Sequence, residues 1–384
     1  MLLMLAAALA GCGVGSHMAP FVPDTTSGGP ADTVPLRVYG DARGRYIGAA
    51  AGTALTMAGD SGARLRTILA REFSMLWTGA FMKFDYLRPS RSVYNYTQAD
   101  SVVAFAARNG MVVRGHTLVW HQQVPAWVRT GNYSPDTLRA ILKEHIDNVV
   151  GHFSGKLTAW DVVNEAMGDD GNLRATVWSA IGPAYIDSAF RWARAVDPDV
   201  PLFYNDYNIE TENAKSDAVY HLLSDLKARG TPIDGIGFQF HYLAQSAPSA
   251  DGIAANFARF AALGLKIQIT EADMHVPVQN GLASASDLQA QARAFRDMVN
   301  GCLRTPSCNA VEIEGIYDGQ AWVEDPTRWD DLHRPGKDFF LTRIRAWNPY
   351  AAPNITDKHY LRPIPQQQLQ GVTGPAPYPQ NPGW

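Results

Sequence analysis

The segment "TAWDVVNEAMGDDG" (158–171) reads as a buried β-strand that runs directly into an amide and a carboxylate, Asn164 and Glu165. A strand whose apolar run stops at adjacent polar side chains ends at a site rather than at an ordinary turn. The same beat recurs along the chain. Short apolar runs of strand length lie at 46–52, 73–77, 111–116, 157–163, 201–206, 233–241, 266–273 and 310–318. Between them, "DTLRAILKEHIDNVVGHF", "PAYIDSAFRWARAV", "TENAKSDAVYHLLSDLKARG" and "ASDLQAQARAFRDMVNGCL" place apolar residues three and four apart, the period of a helix with one buried face. Eight strands alternating with helices predict an α/β fold of the (β/α)8 TIM-barrel type. An open doubly wound sheet would carry a glycine-rich turn after its first strand, and none is present.

In such a barrel the chemistry sits at the C-terminal ends of the strands. There the sequence offers His116, Trp120, His121 and Trp127 after the third strand and Asn164 and Glu165 after the fourth. It offers Asn205, Asp206 and Asn208 after the fifth, Gln239 and His241 on the sixth, and Glu271, Asp273 and His275 on the seventh. Two carboxylates facing each other across a barrel mouth, Glu165 and Glu271, can flank a glycosidic bond. One protonates the leaving oxygen while the other attacks the anomeric carbon. A metal centre is the rival use of such a cluster. However, His116 and His121 are five apart and no His-Glu-x-x-His helix occurs, so neither metal nor cofactor is expected.

Bulk properties agree. The formal net charge is -4 with signs interspersed, and no basic run would follow a phosphate backbone, so nucleic acid is not an expected partner. Ten Trp suit a groove for flat-faced sugars, and equally a large core. The polypeptide is expected to act as a monomer on a polysaccharide.

Residues 1–12, "MLLMLAAALAGC", are apolar, too short to span a bilayer, and end in Cys. They resemble a bacterial lipoprotein signal, which implies export and a lipid anchor at Cys12. No Lys or Arg precedes the apolar run, however, and "GSHM" at 15–18 has the form of a cloning scar, the competing reading. Residues 13–35 read as a flexible tether, 36–350 as the catalytic barrel and 351–384 as a Pro/Gln-rich tail. Cys302 and Cys308, six apart around a Pro, suggest a local disulfide in an exported chain, with two reduced thiols as the alternative.

Five long motifs, "GHTLVWHQQVPAWV", "WDVVNEA", "YNDYNIE", "GIGFQFHY" and "QITEADMHV", together resemble the retaining endo-β-1,4-xylanases of glycoside hydrolase family 10 across residues 35 to 345. The resemblance implies Glu165 as acid/base and Glu271 as nucleophile. It implies Asn164, His116 and Lys83 on hydroxyls of the sugar under attack, Trp120 lining its pocket, and His241, with Gln239 beside it, orienting Glu271. Trp322 matches a later aromatic of the pocket, and the Cys302 to Cys308 turn is similar to one in the family. Two places depart. Where the family reads Glu-Asn-Glu-Met-Lys-Trp this chain reads "GAFMKF" (79–84), and Glu314 stands in place of the family's Trp after the eighth strand. The catalytic pair is therefore expected intact. The glycone pocket is expected to be altered, toward a decorated or non-xylan glycan or, in a non-catalytic relative, toward binding alone.

Overall fold

The computed structural model describes residues 35–277 and 283–316. The signal segment, Cys12, the tether up to residue 34, Trp322 and the C-terminal tail lie outside the described residues. Nine strands occur in them: β1 Tyr46–Ala50, β2 Met75–Trp77, β3 Val112–Gly115, β4 Ala159–Asn164, β5 Leu202–Asp206, β6 Gly235–Phe238, β7 His241–Leu243, β8 Lys266–His275 and β9 Cys308–Ile313. Each pairs in parallel with its neighbours. Because β6 pairs with β8 and β9 with β1, eight of them close into a barrel, and β7 is a short addition alongside β8. This is the (β/α)8 architecture that the alternation predicts.

The stretch 233–241, expected as one strand, is two. Phe240 adopts φ 62, in the left-handed region, and that interrupts the ladder between β6 and β7. The buried carboxylate of Glu210 holds the break. It accepts from the Phe240 N–H at 2.8 Å and from the Tyr242 hydroxyl at 2.9 Å. Alternation alone could not reveal this, because Gln239 and His241 keep the same parity on either side of the break.

The helices form where the apolar period and a cap coincide. Ser134 accepts from the Thr137 N–H ahead of the helix Pro135–Phe153, and Ser284 does the same for Ala285–Leu303 by accepting from Asp287. The apolar core lies between these helices and the outside of the barrel, where Trp160 and Phe190 are fully buried. Side chains of this kind stabilise the fold by roughly 1.5–3 kcal/mol each. The barrel interior is partly polar. Glu312 projects into it against Gly48, where a Cβ would stand 2.4 Å from Glu312 Cγ, so only glycine fits. A disulfide joins Cys302, near the end of the helix Ala285–Leu303, to Cys308, the first residue of β9. Among the described residues no helix is long and apolar enough to cross a membrane.

The chain enters at the N-terminal ends of the strands. Arg37, in the first helix Leu36–Asp41, donates to the carbonyls of Ala70, Asn109 and Gly110, in the stretches leading into β2 and β3. Entry is thus fastened to the rim opposite the strand ends that carry Asn164.

One core position predicts a pH effect. His145 lies on the inward face of Pro135–Phe153, stacked on Phe84 with ring centroids 3.6 Å apart, and neither ring nitrogen has a hydrogen-bond partner among the described residues. Burial, with Arg88 nearby, pushes its pKa down from 6.5 to about 3. Between those two values the unfolded chain binds a proton that the folded chain refuses, so stability falls as pH drops from 6.5 toward 3. The loss reaches roughly 4–5 kcal/mol at the acid end. Melting temperatures of wild type and His145→Leu at pH 7 and pH 4 should show a clearly smaller acid drop in the variant. Equal drops would remove His145 as the cause.

Candidate active site

Glu165 follows directly on β4 with φ 53, in the left-handed region. That conformation costs a non-glycine residue roughly 1–2 kcal/mol and turns the side chain over the barrel mouth. Two bonds hold it there. Its N–H donates to the Asn205 carbonyl at 2.8 Å, and its own carbonyl accepts from Arg174 Nε at 3.1 Å. The carboxylate accepts from Trp120 Nε1 at 2.9 Å, Gln239 Nε2 at 3.0 Å and Asn164 Nδ2 at 3.2 Å. Trp120, expected to line the sugar pocket, therefore also orients Glu165. Gln239, expected beside the His241–Glu271 pair, reaches Glu165 instead.

Glu271, on β8, has a different environment. Its Oε1 accepts from Asn205 Nδ2 at 2.8 Å and lies 3.7 Å from His116 Nδ1, while Oε2 lies 3.7 Å from His241 Nε2. Burial alone would raise its pKa, but His116, His241 and Lys83 outweigh it and hold the carboxyl at about 2. The same Asn205 amide donates to Asn164 Oδ1 at 2.8 Å, and its own oxygen accepts from Thr270 Oγ1 at 2.8 Å. Asn205 and Asn164 thus bridge the two carboxylates, with Thr270 fixing which way the Asn205 amide points.

The lower layer explains why His116 stays put. Its Nδ1 is 2.8 Å from Asp161 Oδ2, and Arg114 binds the other oxygen of Asp161. Arg114 also lies 3.8 Å from Glu312, whose carboxyl is pushed up to about 8 by burial, opposed by Arg114 and reinforced by Asp161 and Glu271. Asn205 is among the polar strand ends of the sequence, but Asp161, Thr270, Arg114 and Glu312 are not. A charged residue inside an apolar strand, as in "AWDVV", was the available signal.

Lys83 is buried at the end of the 3-10 turn Gly79–Met82, its Nζ 4.4 Å from the centre of the Trp120 ring. Burial lowers its pKa, against the pull of Glu271, Glu314 and Glu165. Gly79 in that turn has φ 62, and Ala80 is buried, so neither offers a polar side chain to the mouth. Trp77 is also fully buried. Its indole donates to the Ile313 carbonyl at 3.5 Å and its ring lies edge-on to His116.

Glu314 lies one residue beyond β9, its N–H bonded to the Ala272 carbonyl at 3.2 Å. Its Oε2 is 3.8 Å from His241 Nδ1. Burial drives its pKa well up; His241 and Lys83 oppose this, and Glu271 and Asp273 add to it. Asp206 has a holding role, bonded to Tyr204 and paired with Lys215 at 3.0 Å.

This geometry has relatives. The family model described as glycosyl hydrolase family 10 matches residues 36–341. The chain belongs to glycosyl hydrolase family 10. It is 42% identical over 291 residues to endo-1,4-beta-xylanase B of Thermotoga neapolitana, an alignment covering 76% of this chain and 83% of that protein. Among solved structures, native xylanase 10B of Thermotoga maritima superposes with a TM-score of 0.76 at 38% identity, covering 82% of this chain and 98% of that one. Xylanase 10B of Thermotoga petrophila, solved in complex with xylobiose, gives the same TM-score and identity over 83% and 98%. As a member of family 10 the protein is a glycoside hydrolase.

Proposed function

We propose that the protein cleaves a β-1,4-linked xylan-type backbone with retention of configuration. The observation that carries this is one network holding two carboxylates in unlike surroundings. Glu271 is kept ionised by imidazoles and an amide, and Glu165 sits in reach of it through the Asn164–Asn205 bridge. In the first step Glu271 attacks the anomeric carbon, the glycosidic C–O bond breaks, and the proton of Glu165 goes to the leaving oxygen. In the second, Glu165 takes a proton from water, the water oxygen bonds to the anomeric carbon, and the ester to Glu271 breaks. His116 and Lys83 bind hydroxyls of the sugar under attack. Asn164 donates to its 2-hydroxyl, a bond that strengthens as positive charge develops on the ring. His241 orients Glu271, and Trp120 and Gln239 orient Glu165; Trp322, which matches a pocket aromatic of the family, lies outside the described residues. The named relatives are xylanases, which supports the substrate class.

The preferred glycan is a second matter. An aromatic floor offers stacking area, and polar side chains in the next pocket hold a second sugar. Gly79 and Ala80 provide no polar side chain and Glu314 no aromatic ring, which removes a few kcal/mol of transition-state binding to a plain xylan chain. We infer a preference for a decorated or differently hydroxylated β-glycan. On a panel of purified polysaccharides kcat/KM should be lower, by about tenfold or more, on unsubstituted xylan than on the best substrate. Glu314→Trp should shift the ratio back toward xylooligosaccharides. Plain xylan ranking first for the wild type would reject the preference while leaving the reaction type standing.

The N-terminal segment is proposed as a lipoprotein signal, from its own sequence. Expressed from its full reading frame in a bacterium, the protein should fractionate with membranes, and Cys12→Ser should release it. A wild type found wholly in the soluble fraction rejects the anchor.

A further inference from the structure

His241, Asp273 and Glu314 come together beside the catalytic pair and bring one nitrogen and two oxygens within 4.8 Å of one another. His241 Nδ1 is 3.1 Å from Asp273 Oδ2 and 3.8 Å from Glu314 Oε2. Ligands about 2.1 Å from a tetrahedral ion lie about 3.4 Å apart, and the two separations from His241 fall on either side of that edge. A second observation points the same way. Glu314 is only 8% exposed, and its Oε2 makes no hydrogen bond among the described residues. A buried carboxylate oxygen without a donor is stabilised by a proton or by a cation.

We propose that His241, Asp273 and Glu314 form a binding site for a divalent first-row cation of the zinc type, and that an ion bound there inhibits the enzyme. One imidazole and two carboxylates suit zinc, nickel or cobalt better than magnesium or calcium, which favour oxygen donors alone. His275 Nε2, 2.9 Å from the other oxygen of Asp273, steadies that ligand from behind. No sequence spacing marks this set, because its members are far apart in the chain.

Inhibition follows from position. His241 presents Nδ1 to the ion and Nε2 to Glu271, 3.7 Å away, so a dication sits one imidazole ring from the nucleophile and draws on its charge. The ion must also displace a proton. The charged and titratable groups around His241 are Glu271, Asp273 and His275 on β8, Glu314 after β9, Glu210 after β5, Lys83 after β2 and His116 after β3. An imidazole or a carboxylate ligates a metal only in its deprotonated form. Metal and proton therefore compete, and binding strengthens as pH rises.

Binding does not depend on which glycan is cleaved, whereas inhibition rests on Glu271 acting as nucleophile; calorimetry reads the first and kinetics the second. Zinc chloride titrated into the full chain at pH 7.5 should give one bound ion per chain, with affinity at least about tenfold weaker at pH 5.5. Glu314→Gln and Asp273→Asn, each shown folded by melting, should each weaken binding by about tenfold or more. Magnesium chloride should give no heat. Zinc should lower wild-type kcat/KM in step with occupancy. Absence of binding to the wild type, or equal zinc affinity in the wild type and whichever variants fold, overturns the site. Binding without loss of activity overturns the inhibitory role alone.

Discussion

Replacing Glu271 by Ala is expected to lower turnover by roughly four to six orders of magnitude on every substrate, because no glycosyl ester can form without the attacking carboxylate. The loss should be as large on an aryl glycoside with a good leaving group as on a polysaccharide. That equality separates a missing nucleophile from a missing proton donor. His116, His241, Lys83 and Asn205 surround Glu271 with positive charge and hydrogen bonds, and the alanine leaves all of them without the anion they serve. The variant should still fold, since those groups regain water through the open mouth. Initial rates on both substrate types, with a melting curve beside them, check this. Near-wild-type turnover on either substrate would remove Glu271 from the nucleophile role.

Glu165→Ala should behave differently. The first step needs a proton only when the leaving group is poor, so a dinitrophenyl-type glycoside should still form the ester while xylan turnover falls by about 10³-fold or more. The second step then stalls for want of a base. Azide, which attacks without giving up a proton, should restore turnover and yield a β-glycosyl azide, because two inversions return the original configuration. Product analysis by NMR distinguishes the anomers. An α-azide would mean a single inversion and would overturn the double displacement.

The barrel was legible because its evidence is local and repeated. Each strand and helix carries its own period, as in "TAWDVV" and "DTLRAILKEHIDNVVGHF", and eight repeats of one unit leave few architectures. Glu165 and Glu271 were legible as polar residues ending apolar runs. The supporting layer was not, because it is made across the barrel. Asp161 matters through His116, 45 positions earlier, and Asn205 through Asn164 and Glu271, on either side of it in the chain. The break at Phe240 escaped for a related reason, since it depends on the carboxylate of Glu210 thirty residues away. Glu314 could be recognised as a substitution, but not that it would face His241 and Asp273.

The fastening of Arg37 to the rim at Ala70, Asn109 and Gly110 gives the molecule a handle. Whatever precedes residue 35, whether acyl chain, carrier domain or resin, joins the barrel at the pole opposite Glu165 and Glu271. In a copy linked that way, the cleft lies on the side of the barrel away from the attachment and stays open to a fibre too large to diffuse. Coupling through the strand-end loops would bury the cleft against the support. An N-terminal linkage is therefore the orientation in which a dense layer of these molecules retains its per-molecule rate on insoluble material.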